Sequence, residues 1–432
     1  MLATAANPLQ LIVHIAEQPA GTLTATLDVP SQKVSALTFS SVELRQDSLI
    51  LLSDFLGARY AARLSADGQQ LAGWWKQNGD QWALVLQRGL PTPAPPPVRP
   101  QDPVAPLPYL ERQVRFKSSN SGPELAGTLT LPPSKGPFPA VVLVSGSGPQ
   151  DRDESIMGHH PFRVLADYLT RRGFAVLRYD DRGVGQSGGT FATATTADFL
   201  ADAQAALAFL RTQAGVQAKH VGMLGHSEGG TIALLAGAGP QPPAFIVSLA
   251  GMGVSGRDLL LRQQADVLRV SGLDTASAGR MRRTQQTLLT IIQTTSDNPP
   301  AIARMVPLLK QASPGVSESV LTTMATQMTS PWYRYFLNLN PASALAKVRV
   351  PVLALNGTKD LQVAADLNLE AIRSGLQAAN NRNVTVQRLD GLNHLFQTAT
   401  SGLPSEYGQL SETISPSALQ ILGNWLAIHA RR

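Results

Sequence analysis

The sequence predicts an α/β chain: a mostly parallel sheet with a helical insertion, preceded by a small antiparallel β-domain. Three observations predict it. From about Tyr109 onward, apolar runs such as "PAVVLVSG", "FAVLRYD", "HVGMLG" and "AFIVSLAG" alternate with helical patterns. Continuous apolar strands alternating with helices indicate a parallel sheet covered on both faces. Residues 1–90 instead alternate with period two, as in "QLIVHIAE" and "SLILLSD", the pattern of strands with one buried face. Between the two rhythms lies "PTPAPPPVRPQDPVAPLP", residues 91–108, half of them proline. Such a segment has few backbone donors and favours extended polyproline geometry, so a semi-rigid spacer is expected there.

Composition narrows the function classes. The chain has 432 residues, 43% hydrophobic and only 15% charged, which suits large cores and excludes a disordered polyelectrolyte. The net charge of +6 is scattered, with clusters no larger than pairs such as Arg171-Arg172, so no nucleic-acid stripe is predicted. With no cysteine, disulfides, thiolate zinc sites and a cysteine nucleophile are excluded. The start "MLATAANPLQ" lacks the basic and apolar regions of an intact signal peptide, and no stretch reads as a membrane span.

In order along the chain, the β-domain carries turn signals at Asp67-Gly68 and Asn78-Gly79, with Trp74, Trp75 and Trp82 on the second hairpin. A barrel-like sheet is expected, its aromatics in the core. After the spacer come two extended segments, "RQVRFKS" and "LAGTLTLP", and then the alternating strands and helices. Between "SLAG" and "VPVLALNG" lie residues rich in Met, Thr and Gln without strand signals. A crossover needs far fewer residues, so a helical cap over about 254–340 is predicted. The domain expectation is 1–90, spacer 91–108 and catalytic domain 109–432.

The chemistry centres on "HVGMLGHSEGG". Gly225-His226-Ser227-Glu228-Gly229 matches G-x-S-x-G between a strand and a helix, the context of a nucleophile elbow. The elbow demands an acid and then a histidine downstream. Of the later histidines, His226 is inside the elbow and reads as a packing residue, and His429 lies on the last helix. His394, in "LDGLNHLFQ" after a late strand, is the candidate base. Asp360, just past "VPVLALNG", is the candidate acid, ahead of Asp366 and Glu370 on the following helix. The oxyanion donors are expected to be the amides of Glu228 and, in "SGSGPQDRDE", Ser147. "GVGQSG", residues 183–188, imitates a dinucleotide fingerprint, but Asp180, Asp181 and Arg182 separate it from its strand, and no helix follows directly. His159-His160 lacks further ligands at metal spacing and reads as a loop pair.

From about Tyr109, these motifs, with "LRYDDRGVGQSGG", "PWYRYFLNLNPASAL" and "PVLALNGTKDLQV", resemble the α/β-hydrolase superfamily. Within it they are similar to bacterial serine esterases of the dienelactone-hydrolase and prolyl-oligopeptidase-like branch. The resemblance implies Ser227 as nucleophile, Asp360 as acid and His394 as base, no metal or organic cofactor, and a periplasmic or extracellular location. Ser145 departs from the histidine that related sequences often carry before the loop glycine. The expected activity is hydrolysis of small acyl esters. A peptidase or amidase with the same triad, and a non-catalytic carbohydrate- or wall-binding protein on this scaffold, are the competing readings. Nothing in the sequence predicts an oligomeric state.

Overall fold

In the computed structural model, residues 2–3, 8–18, 21–29, 34–54, 56–77, 80–89, 99–313 and 315–430 are described. The chain divides into two units, Met1–Pro96 with Asp297–Gln327, and Pro97–Ser296 with Met328–Arg432.

The first unit holds antiparallel ladders. β1 (Leu2–Ala3) pairs with β2 (Pro8–Leu9); β3 (Ile12–Glu17), β4 (Leu23–Val29) and β5 (Val34–Thr38) form a second sheet; and β6 (Ser41–Arg45), β7 (Ser48–Ser53), β8 (Ala58–Leu64), β9 (Gln70–Gln77) and β10 (Asp80–Gln87) form a five-stranded meander. The expected antiparallel strands are present, but among the described residues they form three separate sheets and not a single barrel-like one. Period two does the sorting: Leu49 and Leu51 of β7 are buried, and Ile50 and Leu52 face the other side. Trp75 and its cross-strand partner Trp82 join the core side, while neighbouring Trp74 is 52% exposed. Tyr60 is fully buried because its hydroxyl finds the carbonyls of Leu71 and Leu84, at 2.6 and 3.1 Å. Gly68 takes the predicted left-handed turn at φ +68°. The Asn78-Gly79 turn falls outside the described residues.

The second unit is built on an eight-stranded sheet. Its strands are β11 (Leu110–Lys117), β12 (Glu124–Leu131), β13 (Phe138–Val144), β14 (Ala175–Tyr179), β15 (Val216–His226), β16 (Ile246–Leu249), β17 (Val352–Gly357) and β18 (Val384–Leu389). Their order is β11-β12-β14-β13-β15-β16-β17-β18. The ladders that β12 makes with β11 and β14 are antiparallel, and from β14 to β18 every neighbouring pair is parallel. The central strands are buried on both faces, which is why they read as unbroken apolar runs. Val142 and Val144 of β13 face one core, shared with α2 (Thr196–Arg211), α3 (Glu228–Gly237) and α10 (Ala365–Ala378). Val141 and Leu143 face the other, shared with α1 (Pro161–Arg171) and α12 (Pro416–His429). A short helix, α11 (Pro404–Tyr407), precedes α12.

Between β16 and β17 the chain forms the expected helical insertion: α4 (Gly256–Val270), α5 (Thr275–Thr294), α6 (Asn298–Ala312), α7 (Glu318–Met328), α8 (Pro331–Asn338) and α9 (Ala342–Leu345). The domain organisation departs from the three-part expectation twice. Residues 297–327, holding α6 and nearly all of α7, cluster with the N-terminal strands and not with the rest of the insertion. The proline-rich segment is also divided, because Arg99 onward is docked on the second unit. The buried Arg99 guanidinium donates to the carbonyls of Met157, Gly158 and Gly408 at 3.0, 3.2 and 2.8 Å, and also to Leu410. The Gln101 amide bonds the Ile414 carbonyl and the Thr413 amide, both at 2.6 Å. A buried cation held by four carbonyls is a fixed anchor, so residues 99–108 do not behave as a spacer.

Candidate active site

Sterics build the elbow. Ser227 ends β15 and starts α3 with φ 53° and ψ −120°, a left-handed conformation costly for any residue with a Cβ. The turn closes only because its neighbours lack one. A Cβ on Gly225 would lie 1.9 Å from the Gly229 carbonyl oxygen, and one on Gly229 would lie 2.0 Å from that of Val144. The Ser227 amide donates to the Leu249 carbonyl at 2.8 Å, tying the turn to β16. Ser227 itself is half-buried, and its hydroxyl has no protein partner among the described residues.

Asp360 and His394 come from the loops after β17 and β18. They are brought together: His394 Nδ1 and Asp360 Oδ2 are 2.8 Å apart, with both side chains almost entirely buried. The other carboxylate oxygen of Asp360 accepts the amides of Gln362 and Val363, each at 2.8 Å. Those amides orient the acid, and the acid orients the imidazole, leaving Nε2 for chemistry. His394 lies beside the elbow, since the ring of His226 is 4.8 Å from its own, centroid to centroid. The weaker candidates are elsewhere: Asp366 pairs with Arg262 at 2.9 Å, and His429 stacks on Trp425.

Of the oxyanion candidates, Ser147 belongs to a loop that passes beside the elbow. Gly146 approaches the nucleophile so closely that a Cβ there would be 3.2 Å from the Cβ of Ser227. Ser147 follows it, exposed, with no acceptor for its amide among the described residues. Glu228 is the first residue of α3, where amides lack helical partners and the helix dipole favours negative charge. The Ser145 departure has a local explanation. Its hydroxyl donates to Asp181 Oδ1 at 2.8 Å, and Asp181 Oδ2 accepts the Gln150 amide at 3.1 Å. One carboxyl therefore holds both ends of the oxyanion loop. Burial pushes Asp181 up to about 8, against those two hydrogen bonds and with help from Glu228 and Glu154 nearby.

The Glu228 side chain reaches away from the turn. Buried, it accepts Thr196 Oγ1 at 2.6 Å and Trp332 Nε1 at 3.0 Å. Burial raises its carboxyl above the ordinary range despite these donors. Trp332 stacks on Phe336, 5.0 Å between centroids, and Phe336 packs with Met252, Leu259 and Val363. The aromatics of "PWYRYF" thus anchor α8 to the sheet loops.

The two decoys resolve into structure. Gly183 and Gly185 adopt positive φ to wrap Asp180, whose carboxylate pairs with Arg152 at 2.6 Å and accepts the Gln186 amide at 2.9 Å. A Cβ at Gly185 would meet that carboxylate at 2.6 Å. His159 is buried between Thr413 Oγ1 and the Tyr407 carbonyl, both 2.9 Å away, and His160 pairs with Asp102 at 2.9 Å. Among the described residues no cluster of three or more potential metal ligands occurs, and no helix is long and apolar enough to cross a membrane. Sequence reasoning missed Glu154, which contacts both the oxyanion loop and His226. No motif or spacing in the sequence links it to His226, 72 positions away.

Residues 121–374 match the family described as X-Pro dipeptidyl-peptidase (S15 family). Esterase EstD of Thermotoga maritima is 27% identical over 287 residues, 66% of this chain; the chain spans 61% of that relative's length. Among solved structures, the Pyrococcus furiosus esterase Pf2001 is 15% identical with a TM-score of 0.45, over 74% of this chain and 93% of that one. Proline iminopeptidase of Mycobacterium smegmatis has the same identity and TM-score, over 74% and 99%.

Proposed function

The chain belongs to the X-Pro dipeptidyl-peptidase (S15) family, a family of serine hydrolases, and on that footing we propose that it is a serine carboxylesterase acting on small acyl esters. One observation carries the reading: an Asp360–His394 pair at 2.8 Å beside a serine held at φ 53° between a strand and a helix. His394 takes the proton of Ser227 through Nε2 as the hydroxyl oxygen attacks the ester carbonyl. Asp360 holds the tautomer and stabilises the imidazolium. The amides of Ser147 and Glu228 receive the oxyanion. His394 then protonates the leaving alcohol, and water releases the acyl group by the same base. The likeness to an esterase over two thirds of the chain supports ester substrates. The family's description supports a second reading, amide cleavage after proline.

Paired p-nitrophenyl butyrate and X-Pro p-nitroanilide assays separate the two; faster anilide turnover at matched concentration overturns the ester reading. In either case Ser227→Ala is expected to lower kcat by about 10⁴ to 10⁶ and to abolish fluorophosphonate labelling. A variant keeping a tenth of the activity would remove Ser227 from the mechanism.

A further inference from the structure

Behind the triad lies a second acid–histidine pair that the mechanism above does not use. Glu154 Oε1 accepts the Gly146 amide at 2.7 Å and lies 3.0 Å from His226 Nδ1. His226 Nε2 is 2.9 Å from the His394 backbone carbonyl. A carbonyl only accepts, so Nε2 carries a proton. We propose that Glu154 and His226 are positioning residues: a hydrogen-bonded bridge that fixes the oxyanion loop and the catalytic base relative to each other. The inference rests on the function proposed above.

Three features support the bridge. First, it joins the parts whose relative placement decides the rate. Gly146 immediately precedes the Ser147 amide and touches the nucleophile, and the His394 carbonyl belongs to the residue that moves the proton. Second, the pair is built at a cost. Glu154 takes φ 52°, a left-handed backbone, and its Oε2 is buried with no hydrogen-bond partner. A left-handed backbone and an unsatisfied buried carboxylate oxygen are both unfavourable, and surrounding contacts must hold them. Third, the surroundings offer the pair no other partner. Phe162, Leu165, Leu249, Phe396 and Leu419 wall the space beside Glu154 and His226, and in such a medium hydrogen bonds and charges act more strongly. Burial pulls the His226 ring down, but the Glu154 carboxylate and hydrogen bond, the His394 carbonyl and Asp360 hold it above the ordinary histidine value. Each ring nitrogen faces an oxygen, Glu154 Oε1 at 3.0 Å and the His394 carbonyl at 2.9 Å, which is the geometry the bridge needs.

The test uses the full chain with Glu154→Gln, His226→Gln and the double variant. Glu154→Gln replaces the carboxylate oxygen that faces Nδ1 by an amide, and a glutamine at position 226 is too short to span both neighbours. The readouts are kcat and KM on p-nitrophenyl butyrate and a melting curve. Each single variant is expected to lose about 10- to 100-fold in kcat with KM within threefold, since small misplacements of catalytic groups cost that much. Because the two residues act as one unit, the double variant is expected to lose no more than the worse single one. Losses that multiply, an unchanged kcat, or a raised KM at constant kcat would overturn the bridge. If His226→Gln does not fold, the near-isosteric Glu154→Gln decides between these outcomes on kcat and KM alone. Ser227→Ala, measured in parallel, keeps the two ideas apart: residual activity there rejects the mechanism, whereas additive bridge variants with an inactive Ser227→Ala reject only the bridge.

Discussion

Asp181 shows how one side chain couples the site to pH. Its carboxyl is pushed up to about 8 in the fold, from an ordinary value near 3.8, mainly by burial. A raised carboxyl favours the fold while it is protonated. That stability is complete below pH 4 and is lost as pH rises through 8. Asp181→Asn cannot ionise. The melting temperature of the wild type relative to this variant is therefore expected to fall from pH 4 to pH 8 and to level off above, in calorimetry across that range. A difference that stays flat would mean that the carboxyl is ionised throughout. At this scale the sequence is most legible where backbone sterics demand a residue type. Gly225, Ser227 and Gly229 are readable because a Cβ at either glycine would overlap a carbonyl. Glu154 is not, since the His226 it holds is 72 positions away and the contact leaves no spacing rule behind.

Among the elements, the join of β15 to α3 leaves no room for a side chain at Gly225. A Cβ at Gly225 meets backbone and not a flexible side-chain end, so the helix must retreat from the strand. Gly225→Ala is expected to lower kcat by 100-fold or more by displacing Ser227, and to lower the melting temperature as well. Wild-type activity in that variant would show that the elbow is looser than its geometry. The parallel sheet was readable strand by strand, because double-sided burial writes itself as unbroken apolar runs. The helical insertion was readable as a whole, from the absence of strand signals over too long a stretch. Its internal division was not: nothing in the patterning of α6 and α7 names the N-terminal strands as their partners, and only tertiary packing assigns them to a different unit.

For the whole molecule, the cut between units does not follow the proline run. A truncation starting at Tyr109 removes Arg99 and Gln101, and with them the bonds to Met157, Gly158, Gly408, Leu410, Thr413 and Ile414. One starting at Pro97 keeps them. The Tyr109 form is expected to melt several degrees below the Pro97 form; equal melting temperatures would show that the anchor is dispensable. These bonds escaped the sequence because carbonyl acceptors exist at every residue, so composition cannot point to them.

The first unit is also discontinuous: its two pieces, ending at Pro96 and resuming at Asp297, are separated by 200 residues (297 − 96 − 1). During synthesis, at roughly 5–20 residues per second, the N-terminal strands emerge about 10 to 40 s before the helices that complete their unit. Over that interval the hydrolase sheet, whose strands up to β16 are all encoded upstream of Asp297, is free to begin pairing first. The order in which the chain leaves the ribosome thus sets the N-terminal unit, although first made, to be finished late.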